Sequence, residues 1–518
     1  MKEKLDILLF SKTGLAVFTL ISAVGLLLSY SVRHGYVYVD ASIFKNCCLI
    51  FYVVSIFTTV FLFINLYLKI KNNPAVDNTF MKLGSLVGEV FGCLLVIYCL
   101  ITILTDSGMS LSTFRTLLIQ ALPVWIACVA GLFFIFIFPN IGSVGAKKII
   151  SVICVIAMVA VTYASLFPVA PYSFTSGPAV FDDGNGSYSV VFATNDKGTG
   201  YVEYNYNGED VRIFDENNGR KNGQSKIHTV KIPKEELSGN TYKVGSTRVI
   251  DELSYGGRLG KTIESDSYTL NDVFDENINV LSVSDWHTFN KKAETAVKEL
   301  GEDYQAVILL GDCAPGLMSE NDVADYIVKF AYDLTGGTMP IIYTRGNHET
   351  RGTEAVNLSS YLGIDNFYFT ATLGDYDFIV LDSCEDKEDS HPEYGGMVDY
   401  KYYRTNMVNW LNDIENIYGK KTIALSHDNQ ICIEEDLSES ALNKLDSLNT
   451  SLLVSGHWHI YKFDDSGNIP TLIDGGIDSN GKGSYVASMI KLSPEDIKVI
   501  STDNKGNNVI NETVEWKN

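Results

Sequence analysis

Five apolar runs within the first 170 residues constrain this chain more than any other feature. They lie near residues 13–31, 46–68, 83–105, 116–138 and 148–170. A helix needs roughly 20 apolar residues to cross the hydrocarbon core of a bilayer. The first run lacks the small-residue pattern of a signal-peptide cleavage site, and five such runs in series fit buried core helices poorly. Residues 1–170 are therefore predicted to form an all-α, five-helix transmembrane region in contact with the lipid bilayer.

The basic residues between these runs predict an orientation, because cytoplasmic loops carry an excess of Lys and Arg. If the N-terminus is inside, the inner segments hold Lys2, Lys4, Lys12, Lys69, Lys71, Lys82, Lys147 and Lys148, whereas the outer loops hold only Arg33, Lys45 and Arg115. Five crossings then place every residue after 170 outside the cell. We expect a multi-pass protein of the cell membrane with an extracellular C-terminal part, and one helix more or fewer would reverse this orientation.

The two parts of the chain also differ in charge. Residues 1–170 contain 11 Lys and Arg against 6 Asp and Glu, a net of +5, and the remainder contains 29 against 56, a net of −27. So acidic a region argues against a nucleic-acid duplex as partner, since such binders present a basic face. Only Cys313, Cys384 and Cys432 lie outside the apolar runs, and their spacing does not suggest a disulfide framework.

Residues 171–270 have the pattern of short alternating strands separated by Gly, Asn and Asp. Regular short strands with turn residues between them predict a small β-sandwich of about 100 residues. The phrases "GYVEYNY" and "LSGNTYKV" resemble the fibronectin-III-like domain that precedes the catalytic domain of purple acid phosphatases. We interpret this segment as a spacer rather than as a ligand-binding domain.

After residue 275 five apolar strands each end in Asp, Asn or His. "INVLSVSD" leads into Asp285 and His287, "AVILLGD" into Asp312, "PIIYTRGNHE" into Asn347, His348 and Glu349, "KTIALSH" into His427, and "SLLVSGHWH" into His457 and His459. A single such residue is more often packing or capping than a metal ligand. Five of the chain's eight histidines lie at these strand ends, however, and in open α/β sheets ligands bind at the carboxyl ends of the strands.

The ordered set DxH, GD, GNHE, H and GHxH resembles the calcineurin-like metallophosphoesterase superfamily over residues 278 to about 460. The resemblance implies an α/β fold of two mixed β-sheets flanked by helices, followed by a C-terminal β extension, so residues 271–518 are assigned to this domain. The chain is thus expected to be multi-domain, with a membrane region, a small β-sandwich and a metallophosphoesterase domain.

Site roles follow from the resemblance, position by position. Asp285, His287 and His459 are expected to hold one metal ion, Asn347, His427 and His457 a second, and Asp312 to bridge the two. Mixed imidazole and oxygen ligands suit Mn, Fe or Zn better than Ca or Mg, so we expect two divalent transition-metal ions. His348 is expected to protonate the leaving group, with a hydrogen-bonding role beside the ligands as the alternative.

The sequence departs from the family three residues after Asp312. Many members have an aspartate there that orients the catalytic histidine, and purple acid phosphatases have a tyrosine there that binds ferric iron. This chain has Pro315 in "GDCAPG", which argues against the iron-tyrosinate subtype. Glu349 is the candidate to orient His348 instead.

Substrate contacts are harder to predict. Residues 383–414 are expected to form a loop and an amphipathic helix over the metals, with His391, Tyr394 or Arg404 near the substrate, although a solvated surface loop fits as well. Arg345 and Arg351 flank the GNHE motif and could bind phosphate oxygens or pair with carboxylates.

The leading hypothesis is an enzyme, a metal-dependent phosphoric ester hydrolase that acts on phosphate mono- or diesters at the extracellular face. The resemblance implies a hydroxide generated from a water shared by the metals as the nucleophile. The alternatives are a cytoplasm-facing nucleotide phosphodiesterase or protein phosphatase, and a membrane sensor that binds without catalysis. The sequence does not indicate the oligomeric state.

Overall fold

The structure is a computed structural model, and it describes most of the chain. The described residues are 10–35, 42–105, 149–150, 152–154, 156–157, 160, 171–253, 256–415, 421–477 and 480–517. The chain divides into two compact units, Met1–Pro171 with Val249–Gly260, and Tyr172–Arg248 with Lys261–Asn518.

The first unit contains three long helices where the first three apolar runs were predicted. These are α1 (Lys12–Gly35), α2 (Ser42–Ile70) and α3 (Thr79–Thr105). The windows Val53–Ile70 and Thr79–Ile97 are long and apolar enough to cross a membrane, and only 28% of each is buried. The fourth predicted run lies outside the described residues, and the described residues of the fifth, all helical, lie between 149 and 160.

Polar side chains join the helices of this unit. Ser22 Oγ lies 2.7 Å from Thr59 Oγ1, and Asn65 Nδ2 donates to Ser85 Oγ at 2.5 Å. Gly92 permits close approach of α1 and α3, since a Cβ there would lie 3.1 Å from the Cα of Ser22. Small residues at helix contacts and hydrogen bonds between helices are typical of helix packing in lipid.

The strands of the described residues lie in the second unit, except that the eighth and ninth run into the segment Val249–Gly260 of the first. In chain order they are β1 (Phe174–Asp182), β2 (Ser187–Thr194), β3 (Gly198–Tyr206), β4 (Glu209–Phe214), β5 (Glu216–Asn217), β6 (Arg220–Lys221), β7 (Ile227–Pro233), β8 (Thr241–Leu253), β9 (Gly256–Glu264), β10 (Tyr268–Thr269), β11 (Ile278–Val283), β12 (Ala306–Leu309), β13 (Pro340–Tyr343), β14 (Phe369–Leu373), β15 (Tyr376–Leu381), β16 (Lys421–Ser426), β17 (Thr450–Ser455), β18 (Lys462–Asp464), β19 (Thr471–Ile473), β20 (Val486–Leu492), β21 (Asp496–Asp503) and β22 (Asn508–Glu515). Its helices are α4 (Lys234–Leu237), α5 (Asn290–Leu300), α6 (Glu320–Val323), α7 (Lys329–Thr335), α8 (Leu358–Leu362), α9 (Tyr400–Asp413) and α10 (Glu435–Ser447).

Two mixed sheets form the body of this unit, as the resemblance implied. The larger sheet has nine strands in the order β22-β21-β20-β11-β12-β13-β1-β2-β7, and β11, β12, β13 and β1 run parallel. The smaller sheet has six strands in the order β14-β15-β16-β17-β19-β18, with parallel pairing from β15 to β19. The C-terminal β extension is confirmed as β20, β21 and β22.

The two sheets and their helices form stacked layers. In β15, Phe378 and Val380 belong to the core shared by the two sheets, whereas Ile379 and Leu381 face a second core with α9 and α10. This alternation follows from the two-residue period of a strand. Residues of α5, α6 and α7 complete the main core beside the nine-stranded sheet.

The predicted fibronectin-III-like sandwich over residues 171–270 is not confirmed as a separate domain. Strand β1 pairs in parallel with β13, with Val180 opposite Pro340, and β1, β2 and β7 thereby extend the nine-stranded sheet. The strands β3, β4, β8 and β10 belong to a third sheet. This sheet packs against β1, β2 and β7 through a core of its own. Strand β1 joins both structures because it is apolar on both faces. Phe181 packs on Tyr343, whereas Val180 belongs to the core beneath the third sheet.

Candidate metal centre

The candidate ligands follow the parallel strands of both sheets. Asp285 lies two residues after β11, Asp312 three after β12, and Asn347 four after β13. His427 directly follows β16, and His457 lies two residues after β17. Neighbouring parallel strands end at the same edge of a sheet, which is where open α/β sheets bind ligands. The five strands assigned from sequence are confirmed.

Tight turns orient these side chains. Five of them lie on backbone in the left-handed region, namely Asp285 (φ 50°), His287 (φ 39°), Asp312 (φ 56°), His457 (φ 70°) and His459 (φ 55°). Such conformations cost about 1–3 kcal/mol each and cluster at functional sites. Gly311 (φ 87°) allows the loops to meet, because a Cβ there would overlap the backbone nitrogen of Gly346.

One group of candidate ligands contains Asp285, His287, Asp312 and His459, with one donor atom of each within 4.8 Å of the others. His459 Nε2 lies 3.3 Å from Asp285 Oδ1 and 3.2 Å from His287 Nε2. Asp285 Oδ1 is buried without a hydrogen bond among the described residues. Burial of a polar oxygen without a hydrogen bond is costly, so this atom, beside the two imidazole nitrogens, fits a metal ligand.

A second group contains Asp312, His427 and His457. Asp312 Oδ2 lies 3.3 Å from His427 Nε2 and 3.8 Å from His287 Nε2. Its carboxylate therefore belongs to both groups, as a bridging ligand must. Burial opposes ionisation of Asp312, but the imidazoles of His427, His348 and His287 hold its pKa well below the usual range.

Asn347 lies among the atoms of the second group. Its Oδ1 is 3.2 Å from His427 Nε2 and 3.3 Å from His457 Nδ1. Ligand atoms bound at about 2.1 Å to one metal lie at roughly this separation from each other. Turning the amide by 180° would direct its nitrogen to the two histidines and Asp312, and its oxygen to Arg351 Nη2 at 2.8 Å. The turned amide satisfies the hydrogen bonds of the group without a metal. The unturned amide directs its oxygen to the histidines, as a metal ligand requires.

Neighbouring groups fix the imidazoles in orientations that suit metal binding. His427 Nδ1 lies 2.6 Å from the backbone oxygen of Leu310, so a proton on Nδ1 leaves Nε2 free to bind a metal. Burial lowers the pKa of His287, whereas at His427 the effect of burial is outweighed by the Asp312 carboxylate, which raises the pKa to about 10. Two carboxylates, four imidazoles and an amide oxygen form a donor set that suits Mn, Fe or Zn.

Glu349 has a different role from the one considered from sequence. Its buried carboxylate accepts hydrogen bonds from the backbone nitrogens of Asp312, Cys313 and Gly346 at 2.7–2.8 Å. It therefore ties the GD loop to the GNHE loop and does not orient His348.

The imidazole of His348 is positioned by backbone instead. Its Nδ1 lies 3.1 Å from the backbone oxygen of Pro315, the residue that stands where many family members have aspartate. Its Nε2 lies 3.8 Å from Asp312 Oδ2, and its ring packs edge-on against His287. The structure thus places His348 beside the cluster but in neither ligand group.

Of the three residues proposed as substrate contacts from the loop 383–414, the structure excludes one. Arg404 is fully buried and pairs with Glu434 at 2.8 Å, so its prediction as a substrate contact is wrong. His391 accepts a hydrogen bond from the backbone nitrogen of Glu393 at the start of a short 3₁₀ helix. Sequence reasoning missed Glu385, which is buried and bound to Arg351; the residues are 34 apart, and nothing in the local pattern pairs them.

The fold and the side chains define a two-sheet α/β protein with a candidate dinuclear metal centre. Residues 278–461 match the family described as Calcineurin-like phosphoesterase. This part of the chain is therefore a calcineurin-like metallophosphoesterase domain, and the protein is a metal-dependent phosphoric ester hydrolase. The family implies divalent metal ions and a phosphate-ester substrate.

Solved structures show only distant similarity. A dimetal phosphatase from Danio rerio is 13% identical with a TM-score of 0.37 and covers 47% of this chain and 100% of its own. PhoD is 11% identical with a TM-score of 0.39 and covers 67% and 92%. GAP50, the anchor in the inner membrane complex of Plasmodium, is 14% identical with a TM-score of 0.33 and covers 47% and 90%. Comparison with curated proteins gives no match.

Proposed function

We propose that this protein is a membrane-anchored phosphoesterase that hydrolyses phosphate mono- or diesters outside the cell with two transition-metal ions. One observation carries the proposal: the Asp312 carboxylate belongs to both ligand groups. A carboxylate can bind two cations with its two oxygens, and two cations about 3.5–4 Å apart are the arrangement that clamps a phosphoryl group.

Each candidate residue has a role in this proposal. Asp285, His287 and His459 would hold one metal ion with Asp312, and Asn347, His427 and His457 would hold the other with Asp312. When bound, the two ions supply an activated water and neutralise charge on the phosphoryl oxygens. The carboxylates of Asp285 and Asp312 are 0–1% exposed, whereas the side chains of His457 and His459 are 14% and 28% exposed and form the side of the site that solvent reaches.

The proton for the leaving group is assigned to His348. With Nδ1 on the backbone oxygen of Pro315, the other ring nitrogen lies 3.8 Å from Asp312 Oδ2 and 3.0 Å from Arg351 Nη1. To donate a proton to the departing oxygen, it would exchange this arginine contact for the substrate. Imidazole suits this step because its ordinary pKa lies near neutrality.

The metal content of the purified protein tests the dinuclear proposal. We expect about two transition-metal ions per chain by elemental analysis, and no tyrosinate charge-transfer colour, because Pro315 occupies the tyrosine position. A phosphomonoester, a diester and a phospholipid should be compared as substrates with and without chelator. A purple preparation, or hydrolysis by metal-free protein, would contradict the proposal.

Membrane anchoring is supported by the first unit. Most of the windows Val53–Ile70 and Thr79–Ile97 is exposed, including large apolar side chains such as Phe57 and Leu94. A core helix of a soluble domain would bury such residues, whereas lipid solvates them. The excess of basic residues in the inner segments supports an extracellular catalytic domain.

Protease treatment of intact cells or protoplasts tests this topology. We expect residues 171–518 to be digested from outside, while a cytoplasmic marker protein in the same cells stays intact. Protection of this part until the cells are lysed would show that the catalytic domain faces the cytoplasm.

A further inference from the structure

The two arginines that flank the GNHE motif have different surroundings. Arg345 Nη2 binds Asp382 at 2.7 Å, and its guanidinium lies 5.0 Å and 5.4 Å from the ring centroids of Phe367 and Tyr403. Its side chain is only 13% exposed. Arg345 is therefore occupied by a buried carboxylate and two aromatic rings, which fits a structural role.

Arg351 lies instead beside the candidate metal centre. Its Nη1 is 3.0 Å from His348 Nε2, the nitrogen that lies 3.8 Å from the shared carboxylate of Asp312. The side chain of Arg351 is 36% exposed. A cation thus lies next to the histidine assigned to leaving-group protonation, on a side chain that solvent and a ligand can reach.

Glu385 holds this cation in place. Arg351 donates to Glu385 through Nε at 2.6 Å and Nη2 at 2.8 Å, and the Glu385 side chain is 1% exposed. A two-point pair with a buried carboxylate fixes the plane of the guanidinium. The pair does not use Nη1, which is directed to His348 and the cluster.

The number of charged oxygens on a phosphate ester decides what Arg351 Nη1 can bind. A monoester has three terminal oxygens and is a dianion near neutral pH, so two metal ions can bind two of its oxygens and leave the third without a partner. A diester has only two terminal oxygens, and an ester oxygen with its substituent occupies the third position. A guanidinium N–H bonds strongly to a charged phosphate oxygen and gains much less from an ester oxygen.

We propose that Arg351, held by Glu385, binds the third terminal oxygen of the substrate and makes the enzyme selective for phosphate monoesters over diesters. The inference rests on the proposed function, since it assumes that a phosphate ester binds at the metal centre. The guanidinium needs no other protein group to keep its charge, because it stays protonated at every relevant pH.

Para-nitrophenyl phosphate and bis(para-nitrophenyl) phosphate test this selectivity, because they share one leaving group. With the metal-loaded full chain in detergent, Arg351→Ala should lower kcat/KM for the monoester roughly 10- to 100-fold, the usual effect of one charge-assisted hydrogen bond. The diester should lose less than about threefold. Orthophosphate binding, measured by calorimetry, should weaken by a factor similar to that for the monoester.

Two further variants separate substrate binding from charge balance. Arg351→Ala leaves Glu385 buried and unpaired, and the double variant Arg351→Ala with Glu385→Gln removes that stranded charge. Arg212→Ala is the matched control, since Arg212 pairs with Glu203 at 3.0 Å in the sheet of β3 and β4. The double variant should stay poor on the monoester, and the control should keep the wild-type ratio of the two activities.

Three outcomes would overturn the inference: a wild-type enzyme without monoester preference, equal losses on both esters in Arg351→Ala, or recovery of monoester activity in the double variant. The last two would make Arg351 a structural partner of Glu385. A wild-type protein that hydrolyses neither ester would instead overturn the proposed function. In that case, unchanged orthophosphate binding in Arg351→Ala would also exclude Arg351 as a phosphate-binding residue.

Discussion

Asp312→Asn is expected to lower both the rate of hydrolysis and the metal content of the same preparation. The Asp312 carboxylate is the only side chain shared by the two ligand groups found in the described part of the chain. An amide has one oxygen to offer and no charge, so it cannot bridge two cations as a carboxylate does. Loss of a single oxyanion donor costs enzymes about 10²–10³ in rate. Loss of the bridge should therefore cost on the order of 10³-fold or more.

Elemental analysis and ester hydrolysis on one preparation check this expectation. Asp365→Asn is the control, because Asp365 is an exposed carboxylate in a surface ion pair with Lys231. It should keep wild-type metal and rate. An Asp312→Asn protein with two metal ions per chain and normal activity would show that the ligand set is assigned wrongly.

His348→Ala is expected to keep most of its metal while losing roughly 10²–10⁴-fold in rate, the usual range for one general acid. His348 lies outside both ligand groups, but its Nε2 is 3.8 Å from Asp312 Oδ2. The loss should shrink for nitrophenyl esters, because good leaving groups depart without protonation. The rates on an alkyl phosphate and on a nitrophenyl phosphate give this comparison directly.

His391→Ala is the matched control for this experiment, since His391 lies in the same domain and contacts the backbone of a surface 3₁₀ helix. It should hydrolyse both substrates at nearly the wild-type rate. Metal loss together with activity in His348→Ala would make His348 a ligand. A wild-type rate on the alkyl phosphate would remove it from the mechanism.

Much of the candidate site could be predicted because its signals are local. Each ligand follows an apolar strand within a few residues, as Asp285 follows β11 and His427 follows β16. Parallel strands have their carboxyl ends at one edge, so a list of strand ends was enough to expect convergence. The roles of Glu349 and Pro315 were beyond this reasoning, because each acts through backbone atoms that carry no sequence signature.

The sequence by itself determined the apolar helices of the first unit, the strands β11, β12, β13, β16 and β17, and the side chains that follow these strands. Hydrophobic period and strand-end residues are properties of short segments, and they are readable without knowing the partners. Only the tertiary structure decided that β1 joins β13, with Val180 opposite Pro340 across 160 residues of chain. It also decided that Arg345 pairs with Asp382 and is mostly buried, whereas Arg351 pairs with Glu385 and stays partly exposed. Such choices depend on which distant surfaces bury each other, because a charged side chain pairs with whichever buried carboxylate the fold brings beside it.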